Sequence, residues 1–331
     1  MNVSNFQINR RRFLTRTLTT AAGALVVTGI DTGPTLAKSG LSEQASGYYR
    51  FNIGDFKCAS LSDGTLSLPT QFLGRNVPPE KLKELLQQYY LPTDTNTSQT
   101  NLTLIDTGDK LVLFDVGSGP NFQDSAGKLP DLLEAINIAP EDIDAVVITH
   151  GHPDHVWGLI DEFEEAPRFA NAQYYINAVE YDFWNSDDIL TKLPAQLHSF
   201  ALGAQRNLKP ITERMTFIKP GEEFITGIQA LGTSGHTPGH MSFVVTSNNE
   251  TLLVTGDALT HFIVSLQQPQ WQPVTDMDGD QAVINRQKLA DMAATERLRV
   301  IGYHFPFPGV GNIGRQQGSY RWIPDAWSWD L

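Results

Sequence analysis

The chain of 331 residues contains a single cysteine, Cys58. Intramolecular disulfides are therefore excluded, and a zinc site made of thiolates would need several more cysteines. No Gly-x-Ser-x-Gly turn occurs, which argues against a serine hydrolase with a Ser/His/Asp triad. Internal repeats and low-complexity tracts are also missing. Because 40% of the residues are apolar, the chain can build a sizeable core.

Positive charge is scarce: 24 Lys and Arg face 37 Asp and Glu, for a net charge of −13 at pH 7. So acidic a protein is poorly suited to nucleic acid or to anionic membrane surfaces, and nuclease activity is disfavoured. Small neutral or cationic substrates fit this charge better, although a metal site can reverse the local field.

The first 37 residues have the composition of an export signal. A basic start precedes an apolar middle, and small residues come before Lys38. Two arginines, one further residue and Phe13-Leu14 match the twin-arginine pattern. We therefore expect a periplasmic or secreted protein with no stable membrane span after cleavage, and a single domain over residues 38–331.

Strand-like and helix-like segments alternate through two β-rich halves. We predict a first hairpin of Phe51–Leu61 and Thr65–Leu68 with its turn at Asp63-Gly64, a second hairpin turning at Gly108-Asp109, and a helix between Pro79 and Pro92. "RVIGYH" is interpreted as the last buried strand. This order predicts an α/β sandwich of two mixed sheets packed face to face, with helices outside. The tail contains Trp322, Trp327 and Trp329, which either cover the core or form a homodimer contact or a pocket wall.

The segment "HGHPDH" at residues 150–155 follows the apolar strand "AVVIT". His150 and His152 project to the same side of an extended segment, and Asp154 and His155 follow one turn later. Imidazole and carboxylate ligands suit zinc, iron, cobalt or manganese. The segment thus offers two incomplete half-sites for metal.

Three further residues follow predicted strands and could complete these half-sites. His236 in "TSGHTPGH" would complete the first site, and His304 in "RVIGYH" the second, while Asp257 in "LLVTGD" could bridge both. Two cations about 3.5–4 Å apart that share a carboxylate and a hydroxide form a hydrolytic centre.

The motifs "THGHPDH", "GHTPGH", "TGD" and the late histidine at a strand end resemble the metallo-β-lactamase superfamily. The resemblance implies an αβ/βα four-layer sandwich with two metals at one edge. It assigns the first metal to His150, His152 and His236. It assigns the second to Asp154, His155 and His304, and it makes Asp257 the bridging and catalytic carboxylate.

The stretches near Gly47, "GHTPGHMSFVV" and "HFPFPGVGNI" look like the methyl parathion hydrolase branch. That branch is exported and hydrolyses organophosphate triesters, and related members cleave aryl esters and lactones. The resemblance implies a substrate pocket lined by Phe122, Trp184, Phe200 and Leu259. The chain departs from the branch around Pro69–Pro79 and Gln267–Pro273, where pocket loops are expected.

Other residues near these motifs are expected to support the site. Asp115 ends a strand and is predicted to accept hydrogen bonds that orient the loop of His150, and His240 is predicted to play a supporting role next to the metals. His261 is interpreted as a surface or pocket-rim residue, and His198 as a partly exposed histidine or a residue that lines the pocket.

The resulting hypothesis is a hydrolase that uses a bridging hydroxide on neutral esters, with two divalent metals. Zinc is the first choice; cobalt, manganese and iron are alternatives. The substrate is a small organophosphate triester, aryl ester or lactone, with acyl-homoserine lactonase as an alternative principal activity. A β-lactamase or thioester hydrolase, a di-iron flavoprotein and a non-catalytic binding protein are further alternatives.

Overall fold

The structure is a computed structural model and describes residues 47–328. The predicted export signal and Trp329 lie outside these residues. Within residues 47–328, no helix has both the length and the apolar character needed to cross a bilayer.

Strands dominate the described part of the chain. In chain order they are β1 (Tyr48–Ile53), β2 (Phe56–Pro69), β3 (Thr95–Asp106), β4 (Leu111–Phe114), β5 (Ala145–Val147), β6 (Ile160–Asp161), β7 (Ala166–Pro167), β8 (Gln173–Asn177), β9 (Met215–Ile218), β10 (Glu223–Ile225), β11 (Ile228–Gly232), β12 (Met241–Ser247), β13 (Glu250–Val254), β14 (Arg299–Ile301), β15 (Val310–Gln316) and β16 (Ser319–Pro324).

These strands form two large mixed sheets and one short hairpin. The first sheet has the order β1-β2-β3-β4-β5-β8-β9, and the second runs from β10 to β16 in sequence order. In the first sheet β4, β5, β8 and β9 are parallel, whereas in the second only β13 and β14 are parallel. β6 and β7 form the separate hairpin.

Helices connect the strands, and two of those in the described residues begin at side chains that cap them. They are α1 (Pro79–Gln88), α2 (Leu129–Ala135), α3 (Pro153–Val156), α4 (Ala178–Asn185), α5 (Ile189–Lys192), α6 (His198–Leu208), α7 (Val264–Gln267) and α8 (Gly279–Glu296). Asn177 caps α4 by accepting a hydrogen bond from the Val179 N–H. Asp278 caps α8 in the same way.

Three apolar layers hold these elements together. The layer between the sheets joins side chains of both, such as Phe114 of β4 and Phe243 of β12, whose ring centroids are 5.3 Å apart. The outer face of the first sheet packs against α2 and α6, and the outer face of the second sheet packs against α8. The predicted αβ/βα four-layer sandwich is thereby confirmed.

The predicted position of the turn in the first hairpin was wrong. The chain turns at Gly54-Asp55 between β1 and β2, and Asp63-Gly64 forms a bulge inside the continuous strand β2. The buried Asp63 carboxylate accepts hydrogen bonds from three backbone N–H groups that follow β4. These distant donors explain why an Asp-Gly pair does not make a turn here. The β3–β4 hairpin and α1 are confirmed.

The segment "RVIGYH" is not the last strand, because β15 and β16 follow β14 in the second sheet. Trp322 of β16 packs edge-on against Phe305 at a centroid distance of 4.8 Å. Trp327 packs against Tyr49 at 4.9 Å. Both side chains therefore cover the core, and a homodimer contact through this tail stays a prediction.

Candidate metal centre

The seven predicted ligands converge at one end of the two sheets. Each follows a strand of the central region: His150 and His152 follow β5, and Asp154 and His155 lie on α3 directly after them. The remaining three follow β11, β13 and β14 and are His236, Asp257 and His304. All seven are buried or nearly so.

Four of these residues form the first cluster, with ligand atoms within 4.8 Å of one another. His152 Nδ1 lies 2.9 Å from His150 Nε2 and also 2.9 Å from His236 Nε2. Asp257 Oδ2 lies 3.2 Å from His236 Nε2. Three imidazole nitrogens and a carboxylate oxygen that face one point form an arrangement that a shared cation would satisfy.

Asp154, His155 and His304 form the second cluster. Asp154 Oδ2 lies 3.4 Å from both His155 Nε2 and His304 Nε2. Asp257 also approaches this cluster, with Oδ1 3.4 Å from His155 Nε2 and Oδ2 3.2 Å from His304 Nε2. Asp257 therefore stands between the two clusters.

The donor set fits two divalent cations. Asp154 Oδ2, His155 Nε2 and Asp257 Oδ1 are buried and have no hydrogen-bond partner, which is rare for buried polar atoms. Although burial opposes it, the carboxylates of Asp154 and Asp257 raise the pKa of His155 well above its usual value. Bound cations would give these three buried atoms the partners that the described residues do not supply.

Hydrogen bonds on the far side of the rings direct Nε2 of three histidines inward. His155 Nδ1 lies 2.7 Å from Asp115 Oδ2, and His236 Nδ1 lies 3.0 Å from Asp276 Oδ1. His304 Nδ1 lies 2.8 Å from the Gln99 carbonyl oxygen. A donated Nδ1–H fixes the tautomer and leaves the Nε2 lone pair free for a metal.

Asp115 and His240 contact the ligand loops. Asp115 accepts hydrogen bonds from the Thr149 N–H and hydroxyl at 2.8 Å, directly before His150. His240 Nε2 accepts the Asp257 N–H at 2.9 Å. Because burial lowers the pKa of His240 to about 3, its ring is neutral and can accept this bond.

Sequence reasoning missed Glu180, which joins the two histidine loops. Its buried carboxylate accepts the N–H groups of Gly151 at 2.8 Å and Gly239 at 2.9 Å. It also accepts the Thr237 hydroxyl at 2.7 Å and the Trp184 indole N–H at 2.6 Å. An acid within "VEYDFW" carries no local signal for this role, because its partners lie 29 and 59 residues away.

Both glycines are required by these close approaches. A Cβ atom on Gly151 would lie 2.3 Å from the Trp184 nitrogen, and one on Gly239 would lie 2.3 Å from the Glu180 backbone nitrogen. Only glycine therefore lets the two loops pack onto α4.

Asp276 and Arg286 were also missed. Asp276 Oδ2 lies 2.8 Å from Arg286 Nη2, while its other oxygen contacts His236. Arg286 Nε donates to the Ala258 carbonyl oxygen at 3.2 Å, beside Asp257. The pair thus links the strand ends that carry His236 and Asp257.

A cavity of about 570 Å³ opens above the two clusters. His152, Asp154, Asp257 and His304 form its floor, and Phe122 and Phe200 lie in its wall. The other lining residues are mostly apolar or uncharged; they include Leu66, Leu68, Phe72, Leu73, Asn96, Ser98, Pro194, Leu197, Thr260, Pro273 and Val274.

Two residues predicted for the pocket do not line it. Trp184 is fully buried behind the floor, where its ring lies edge-on to His152 at 5.6 Å. Leu259 is fully buried in the apolar layer under α8. His261 is also buried rather than at a rim, and its Nδ1 accepts the N–H groups of Ile263 and Val264.

Two loops, at residues 72–76 and 270–274, form the outer wall of the cavity. They are tied by backbone hydrogen bonds from Arg75 to Gln272 at 2.8 Å and from Val274 to Phe72 at 2.8 Å. The Asn76 amide also donates to the Gln270 carbonyl oxygen at 3.0 Å. These loops fall in the segments where the sequence departs from the branch it resembles.

Comparison with known proteins agrees with this geometry. AidC, a dizinc quorum-quenching lactonase in complex with a hexanoyl-homoserine product, superposes with a TM-score of 0.80 at 26% identity, covering 86% of this chain and 99% of its own. AbOPH, a hydrolase of the beta lactamase superfamily, gives a TM-score of 0.80 at 29% identity, with 86% and 100% coverage. Metallo-beta-lactamase domain-containing protein 1 of Xenopus laevis is 28% identical over 201 residues, 60% of this chain and 70% of its own. The profile of the metallo-beta-lactamase superfamily matches residues 95–304, and the chain belongs to this superfamily.

Proposed function

We propose that the protein is a binuclear metal-dependent hydrolase of small neutral esters: organophosphate triesters, aryl esters or lactones. The observation that carries this proposal is the position of Asp257, between two ligand clusters and on the floor of a largely apolar cavity.

Two bound divalent cations would supply a hydroxide near neutral pH and would polarise the ester oxygen. His150, His152 and His236 would hold one cation, and Asp154, His155 and His304 the other. Asp257 would contact both and would hold the proton of the attacking water. The dizinc centre named for AidC makes zinc the first choice, with cobalt, manganese and iron as alternatives.

The cavity wall favours an uncharged substrate. Outside the floor, Arg75 is the one charged side chain among the described residues that line the cavity. Arg75 is exposed to solvent and donates a hydrogen bond to Gln272. An anionic thioester would call for more positive charge than this wall offers. Leu66, Leu68, Phe122 and Phe200 instead offer apolar contacts to an alkyl or aryl group.

An acyl-homoserine lactonase is a second candidate for the principal activity. The observation that favours it is the likeness to AidC, which carries a hexanoyl-homoserine product.

We further propose, from the signal at residues 1–37, that the enzyme acts outside the cytoplasm. Fractionation of cells that produce the full chain, with Arg10→Lys/Arg11→Lys as the control, tests this part separately.

Alanine variants of Asp257 and His236 test the function. We expect Asp257→Ala and His236→Ala to lose bound metal and hydrolysis together, because each removes a ligand of the first cluster. Metal content is measured beside turnover of a p-nitrophenyl ester, a phosphotriester and a lactone. Full turnover of all three by either variant would contradict the assignment.

A further inference from the structure

A pair of polar side chains interrupts the apolar wall of the cavity. Asn96 and Ser98 lie two residues apart on β3 and both line the cavity. Their neighbours on β2 are Leu68 and Leu66, which line it too. Because alternate residues of a strand face the same side, the pair stands in one row with no apolar side chain between its members.

The pair is oriented by its own hydrogen bond. The Asn96 amide Nδ2 donates to Ser98 Oγ at 2.8 Å. One of the two lone pairs of Ser98 Oγ is thereby used, and the hydroxyl group donates to no acceptor within residues 47–328. Since Ser98 is only 6% exposed and borders the cavity, its hydroxyl group is available to donate to a ligand bound there. The incoming bond from Asn96 also strengthens Ser98 as a donor.

β3 holds this donor at a fixed place beside the metal centre. The carbonyl of Gln99, the next residue, lies 2.8 Å from His304 Nδ1. Asn101 on the same strand donates its backbone N–H to the Tyr303 carbonyl oxygen at 2.8 Å and its side-chain amide to the Phe305 carbonyl oxygen at 2.7 Å. The strand that carries Ser98 is therefore locked to the loop that carries a metal ligand.

We propose that Ser98 donates a hydrogen bond to a second carbonyl oxygen of the substrate, beside the scissile ester, and that Asn96 positions the Ser98 hydroxyl. This inference rests on the proposed function and makes Ser98 the residue that favours, among its candidate substrates, those with a second carbonyl group and an apolar tail. The tail would contact the leucines of β2 and the rings of Phe122 and Phe200.

Two matched lactones distinguish a substrate-binding role of Ser98 from a purely structural one. One carries an acylamino substituent, and the other carries an alkyl substituent of equal length without the carbonyl. In zinc-loaded Ser98→Ala, kcat/KM for the acylamino lactone should fall about three- to tenfold, the usual net effect of one neutral hydrogen bond. The alkyl lactone and a phosphotriester should be hydrolysed as by the wild type. Asn96→Leu should show the same selective loss, and Thr97→Ala, exposed on the other face of β3, should show none.

Binding gives a readout that needs no turnover. An acylamino lactam, which resists hydrolysis, should bind more weakly to Ser98→Ala than to the wild type in calorimetry, and an alkyl lactam should bind equally to both. If Ser98→Ala lost turnover or binding equally for the acylamino and the alkyl compound, or for neither of them, the proposed role of Ser98 would be wrong. The proposed hydrolase function would not be affected. A zinc-loaded wild type that hydrolyses no ester, triester or lactone would instead overturn the proposed function.

Discussion

Replacing Glu180 by glutamine tests whether one buried carboxylate holds the metal-binding loops. The carboxylate accepts four hydrogen bonds, two on each oxygen. Glutamine offers one oxygen and one NH₂ group. If the NH₂ group faces Thr237, the hydroxyl can turn and accept, but the Gly239 N–H then has no acceptor. An unpaired buried donor costs about 1–3 kcal/mol, so we expect a loss of unfolding free energy in this range.

Metal affinity should fall as well. The N–H group that loses its acceptor is that of Gly239, which lies three residues after the ligand His236 in the same loop. The other loop that Glu180 contacts has Gly151 between the ligands His150 and His152. Loss of a partner behind metal ligands typically weakens metal binding about 10- to 100-fold. Urea unfolding of the metal-free protein measures the first effect, and competition with a zinc chelator measures the second.

A conservative change at a surface glutamate is the matched control. Glu134 is exposed on α2, and Glu134→Gln should leave both quantities unchanged. Zinc binding by Glu180→Gln as tight as that of the wild type would contradict this prediction, because the two loops would then not depend on the carboxylate for their geometry.

Two further predictions concern the same framework. Gly151→Ala should lower the unfolding free energy by about 1–3 kcal/mol through overpacking against the Trp184 indole, and unchanged urea unfolding would contradict the packing described. Burial raises the pKa of Asp63 from 3.8 to about 6 in the folded state. The folded chain then binds more protons than the unfolded chain between these values, so this group lowers stability by about 3 kcal/mol in all as pH rises through both pKa values, with about 2 kcal/mol of the loss between pH 4 and 6 and little change above pH 7. The difference in unfolding free energy between metal-free wild type and Asp63→Asn should shift over this window; a difference that stays constant with pH would refute the assignment.

The sequence predicted the ligand set because most ligands have a local signal, a polar residue shortly after an apolar strand, and Asp154 and His155 belong to the same motif as His150 and His152. His150, His236 and Asp257 share this setting, and the ends of neighbouring strands meet at one edge of the sheets. The layer architecture followed from the same alternation of strands and helices.

Other features depend on contacts distant in sequence. Asp63 forms a bulge because its acceptors are used by N–H groups 55 to 66 residues further on. Glu180 and Asp276 act on loops that only the fold brings near. Trp184 was predicted to line the pocket, but its indole N–H donates to the Glu180 carboxylate, and this bond holds the ring behind His152.

Titration of zinc into the metal-free protein tests the binuclear centre most directly. The two clusters joined by Asp257 predict that hydrolysis of a p-nitrophenyl ester rises until two equivalents of zinc per chain are bound and then stays constant. Full hydrolysis by the metal-free protein, or saturation at a single equivalent, would contradict the account.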